Sequence, residues 1–104
     1  SDTVAGELAM RRTLSQLLDG SIPPRQAADA LANHEIGDLL TATVNVLALA
    51  SREMSAETLR HQRGLFRVMD QCDAWLSSVR RGLNLSKGLL LDELCQSAAG
   101  ALDV

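Results

Sequence analysis

The side chains in this sequence that could do chemistry are few: two histidines, two cysteines and a scatter of carboxylates. His34 stands near an expected helix end, and His61 follows Glu57 by one helical turn. On a helix that spacing puts Glu57 and His61 on one face, where they read as a surface pair. A structural zinc site needs about four nitrogen or sulfur ligands, and neither histidine has a cysteine near it. A di-iron bundle needs Glu-x-x-His on two helices, and that motif does not occur. Asp70 and Asp73 share a helix face and read as its wet side. The glycines are scattered, and none forms the G-x-x-x-x-G-K-[ST] phosphate loop. Catalytic, metal-ligating and cofactor-binding residues are therefore all expected to be absent.

Cys72 and Cys95 fall on apolar stripes, where a free cysteine behaves as a small hydrophobe. They read as two reduced core cysteines of a cytosolic protein. A disulfide is open to them, but their spacing does not ask for one. A nucleophilic cysteine needs a base in reach and partial exposure, and burial is expected for both.

The elements carrying these residues follow a helical period almost everywhere, and period-two alternation is missing. A first helix is expected over about residues 3–18, with Val4, Leu8, Leu14, Leu17 and Leu18 on its stripe. Gly20 is placed to end it. Pro24 suits the first position of a short second helix, because its missing N–H would have no helical partner there. That helix presents Ala27, Ala28, Ala30 and Leu31 and should end near Asn33 or His34. A central third helix spans about 36–52, with Ile36, Leu39, Leu40, Val44, Leu47 and Ala50 on one side and Val46 and Leu49 widening it. Ser55 is a good N-cap for a fourth helix that runs to Gly82. Its stripe is Leu65, Val68, Met69, Cys72, Trp75, Leu76 and Val79, with Gly64 a candidate kink or break. Arg80 and Arg81 in its last turn suit the helix dipole. Ser86 caps a last helix whose stripe is Leu90, Leu91, Leu94, Cys95, Ala98, Ala101 and Leu102. The fold class is all-α: a compact bundle of about five helices, with short loops making sequential helices mostly antiparallel neighbours.

The chain of 104 residues fits one domain with a modest core. With one Phe, one Trp and no Tyr, that core must be aliphatic. A net charge of −3 argues against a dedicated nucleic-acid binder. No apolar run approaches the ~18 residues of a membrane span, and no basic-then-apolar leader opens the sequence. The leading Ser is compatible with a trimmed tag or a domain cut from a longer protein.

Leu89, Leu90 and Leu91 occur in a row at the start of the last helix. Consecutive helical residues sit about 100° apart, so three cannot share one narrow face. Leu89 points with Glu93, Gln96 and Gly100, opposite Leu91 and Ala98. Two readings stand open. Leu89 folds back on the preceding turn as a staple-like contact, or it is left out for a partner.

Three other functions have some footing in the sequence. In a helix-turn-helix reading of "RRGLNLSKGLLLDEL", Leu, Asp and Glu fall where base-reading residues belong, and phosphates would repel them. Arg60, Arg63 and Arg67 read as a solvated basic face. A histidine phosphotransfer bundle acting through His61 fits the size and helicity, although "HQRGLF" departs from the usual surroundings of such a histidine. A stand-alone helical adaptor that dimerises through its leucine face is a third reading.

Two stretches, "LSQLLDGSIPPRQAADALANHEIGDLLTATVNVLALA" (14–50) and "MDQCDAWLSSVRRGLNLSKGLLLDELCQ" (69–96), carry a resemblance. The chain resembles the C-terminal domain family of the delta-prime subunit of bacterial DNA polymerase III, part of its clamp loader. The segment 56–66 matches less well, and Ser86 stands where the family often has Asn. The resemblance implies a cytoplasmic collar domain, 1–104, cut from a protein with N-terminal AAA+-like domains. It implies no activity or cofactor in this piece; the parent complex is a DNA-directed DNA polymerase with a clamp-loading ATPase. The implied partners are the delta and gamma/tau subunits, in a hetero-oligomer that loads the sliding clamp during DNA replication. DNA would be met only through the whole complex, with no membrane or small-molecule substrate. A collar domain needs apolar surface for two neighbours, and a heterologous contact uses two different patches. The interface residues expected on that ground are Leu83, Leu85 and Leu89.

Overall fold

A computed structural model describes residues 2–102. They form six α-helices: α1 Asp2–Leu18, α2 Pro24–Leu31, α3 Ile36–Arg52, α4 Ala56–Arg60, α5 Arg63–Arg80 and α6 Lys87–Ala98. No strand occurs among them. The radius of gyration, 13.2 Å, matches the ~13 Å of one compact domain of this length.

The core is the aliphatic one the composition demands. Leu14, Leu17, Leu18, Leu31, Leu39, Leu40, Leu47, Leu65, Val68 and Leu94 are fully enclosed. Both cysteines join them: Cys72 and Cys95 are buried and free. Thr43 is enclosed too, and its hydroxyl donates to the Leu39 carbonyl (2.7 Å) within its own helix, so that buried hydroxyl is satisfied. α3 packs on α5 and on α1; α2 packs on α1 and α6; α6 also packs on α5.

Four expectations need correction. First, the helices number six, because the expected fourth helix is interrupted. The break lies at His61 and Gln62, not at Gly64. Gln62 leaves the helical region (φ −96°, ψ 59°) and is buried, and its N–H donates to Leu59 in a tight turn. Gly64 sits within α5, against residue 101: a Cβ there would lie 3.6 Å from the Ala101 carbonyl oxygen. Second, α2 stops at Leu31, and Ala32, Asn33 and His34 form a turn; Ala30 on it is exposed. Third, Val4 and Leu8 are exposed. Leu8 lies about 120° round the helix from Leu14, too far to share its face. Fourth, Leu49 extends beyond the buried stripe of α3 and is also exposed. α1 and α3 run in the same direction, as alternate helices of an up-and-down chain do. Glu7 and Met10 share a cleft with Asp38 and Asn45, while Ser15 and Asp19 share another with Leu49 and Glu53.

The end of α1 shows how the bundle is closed. The last four carbonyls of a helix have no partner within it. Here all four are answered. Ser15 accepts from Asp19 (3.0 Å), Gln16 from Ser21 (2.8 Å), and Leu17 from Gly20 (3.2 Å). Leu17 also accepts from Gly100 (2.9 Å), and Leu18 accepts from Leu102 (2.8 Å). Gly20 turns the chain with φ +83°, a conformation open to glycine without a Cβ clash. The segment after α6 thus lies across the end of α1 and beside the start of α5. The end of α5 and the start of α6 must then lie at the opposite pole of the bundle. There Lys87 Nζ donates to the Ala32 carbonyl, placing a cation at the end of α2.

Candidate functional site

The pole where α5 hands over to α6 carries the residues expected at an interface. α5 ends with three backbone bonds: Arg81 donates to Ser77 (3.1 Å), Gly82 to Val79 (3.0 Å) and Leu83 to Ser78 (3.1 Å). Gly82 has φ +79°, the left-handed step that lets a helix end this way. The chain then leaves Leu83 outside, 55% exposed. Leu85 turns inward and packs, partly buried, against the core. Of the three residues expected to face a neighbour, Leu83 and Leu89 are displayed and Leu85 is not.

Ser86 does stand at the start of α6, and its carbonyl accepts from Leu90 (2.9 Å). Its side chain makes no capping bond, a correction to the expected cap. The following leucines divide sharply. Leu90 and Leu91 are each 5% exposed, and Leu89 is 74% exposed. A leucine folded back on the preceding turn would lose much of its accessible surface, so the staple-like reading of Leu89 does not hold.

The segment that carries these leucines is one-sided in charge. Between Asp73 and Asp92 the sequence has no carboxylate, while it holds Arg80, Arg81 and Lys87. Lys87 is occupied at the end of α2. Arg80 and Arg81 are exposed. Phe66, on α5, is the exposed large side chain that the sequence reading missed. Its signal was its position beside Leu65, about 100° off the buried stripe.

The residues with chemical potential are not brought together. His61 is exposed and stands at the C-terminal end of α4, a five-residue helix. Asp70 and Asp73 are exposed, as are Arg60, Arg63 and Arg67. No group of three or more His, Cys, Asp or Glu able to hold a metal occurs among the described residues. Burial pushes the Cys72 thiol up to about 12, with the Asp73 charge adding to the effect. Burial, then Asp92, pushes Cys95 up to about 11. Neither is a thiolate near neutral pH, so neither is a ready nucleophile.

An open cleft of about 470 Å³ lies between α1 and α3, lined by Glu7, Met10, His34, Asp38, Thr41 and Asn45. A second cleft, about 450 Å³, lies between α2 and α6 and includes Arg25, Asp29, Asp92 and Cys95. Both are wide troughs between neighbouring helices. Among the described residues no helix is long and apolar enough to cross a membrane. No family model, curated protein or solved structure matches this chain.

Proposed function

We propose that this chain is a subunit-assembly module, and specifically a collar-type domain of a clamp loader, similar to that of the delta-prime subunit. In this reading it has no activity alone. It docks on the delta and gamma/tau subunits and so fixes their order in the ring that loads the sliding clamp.

The observation that carries the reading is Leu89, 74% exposed beside two leucines exposed by only 5%. A fully buried leucine is worth roughly 1.5–3 kcal/mol over an exposed one. Leu89, 74% exposed, gains only about a quarter of this within the bundle, and burial against a neighbour would supply the rest. Leu83, at the same pole, adds a second apolar side chain. The resemblance of segments 14–50 and 69–96 supplies the identity of the neighbours.

The test is reconstitution. The full chain, mixed with delta and gamma/tau subunits, should co-elute with them on size exclusion. The Leu83→Asp/Leu89→Asp variant should melt like the parent protein and fail to co-elute. A variant that assembles normally, or a parent chain that ignores these subunits, would refute the reading.

A further inference from the structure

We infer that the docking edge at residues 80–89 is built for a protein surface that pairs apolar side chains with carboxylates. The inference rests on the assembly reading and deepens it by naming the chemistry of the surface that covers this edge.

Three observations converge on one corner. Leu83 and Leu89 stand out from it, 55% and 74% exposed. Arg80 and Arg81 flank them in the sequence, exposed, with neither guanidinium in an ion pair among the described residues. The run from residue 74 to residue 91 contains no Asp or Glu, in a chain of net charge −3 with 13 acidic residues. Any carboxylate that pairs with these arginines at this corner must come from outside the segment. A guanidinium presents a planar fork of donors that suits a carboxylate in two parallel bonds. Exposed leucines with exposed arginines close by in the sequence suit an interface whose apolar part gives affinity and whose charges give orientation and association rate.

The charge pattern selects among occupants. A second copy of this chain would bring the same basic corner against itself in a two-fold contact. A nucleic-acid backbone would match the arginines but leave Leu89 without an apolar partner. An acidic, apolar helix surface satisfies both sets of residues.

The test uses the full chain with the delta and gamma/tau subunits, measured by titration calorimetry. Arg80→Glu/Arg81→Glu should weaken binding at least ~10-fold, because the reversed charges face carboxylates. Raising NaCl from about 50 to about 300 mM should weaken the parent complex several-fold and the variant little. Arg60→Glu/Arg67→Glu, a reversal on the other basic face, should leave affinity unchanged. Thermal melts monitor folding throughout. If Leu89→Asp abolishes binding while reversal of Arg80 and Arg81 and added salt do nothing, this inference falls and the assembly reading survives. If Leu89→Asp also binds normally, the assembly reading falls with it. Salt-sensitive self-association of the chain alone, or binding of a primed-duplex oligonucleotide lost on reversal of Arg80 and Arg81, would also overturn the inference.

Discussion

Alanine substitution at each of Leu89, Leu90 and Leu91 separates surface from core within one turn of α6. Leu90 and Leu91 are 5% exposed, and truncating a buried leucine costs about 2–5 kcal/mol through lost transfer energy and the cavity left behind. Leu89 is 74% exposed, so only about a quarter of its surface is at stake, which scales the loss to roughly 0.5 kcal/mol. Alanine's slightly better helix propensity offsets part of that. For a domain of this size, 1 kcal/mol shifts the melting temperature by about 4–8 °C. Leu90→Ala and Leu91→Ala should therefore each lower it by at least ~8 °C, and Leu89→Ala by a few degrees at most. Urea unfolding of the three variants, with unchanged slopes, checks the order. A Leu89→Ala loss equal to that of Leu90→Ala would show that Leu89 belongs to the core, and the case for a docking edge would go with it.

The cysteines make stability depend on pH at the alkaline end. Their folded values, about 12 and about 11, lie above the ordinary 9.0. The folded state therefore keeps its protons where the unfolded chain releases them. This contribution is complete below about pH 9 and is lost as pH rises toward the folded values. Urea midpoints should fall above about pH 9, less steeply in Cys72→Ala. Among the caps, Ser55 accepts from the Thr58 N–H (3.1 Å), so Ser55→Ala should cost about 1 kcal/mol. Ser86→Ala, which removes no capping bond, should cost only a few tenths in the same urea assay.

The elements most legible in the sequence are those whose signals are local and agree with one another. α3 runs Ile36–Arg52 as its apolar stripe predicts, and Pro24 opens α2 where its fixed φ and missing N–H allow. The burial of Leu90, Leu91, Leu94, Cys95 and Ala98 follows from their angles on α6. So does the exposure of Leu89. The break after α4 was hidden because neither His61 nor Gln62 is a helix breaker. Gln62 is buried at the break, a feature of tertiary packing that a local pattern does not reveal. Val4 and Leu8 misled because a continuing helical period says nothing about where the neighbouring helices stop. At the candidate site, Leu83 and Leu89 were legible as surplus apolar residues. Leu85 was not, because no period governs a turn and only the packing sends one of its leucines inward.

The contacts that Gly100 and Leu102 make with the end of α1 give the molecule two unlike poles. At one, main-chain bonds join the first helix to the segment after the last, so neither can shift without stripping carbonyls of their donors. At the other, residues 81–86 bridge two helices, and beyond the packing of α2 on α6 the Lys87 side chain bonds the end of α2. A partner seated on Leu83 and Leu89 would therefore touch the pole that side chains hold, away from the main-chain bonds that join the two ends of the described chain.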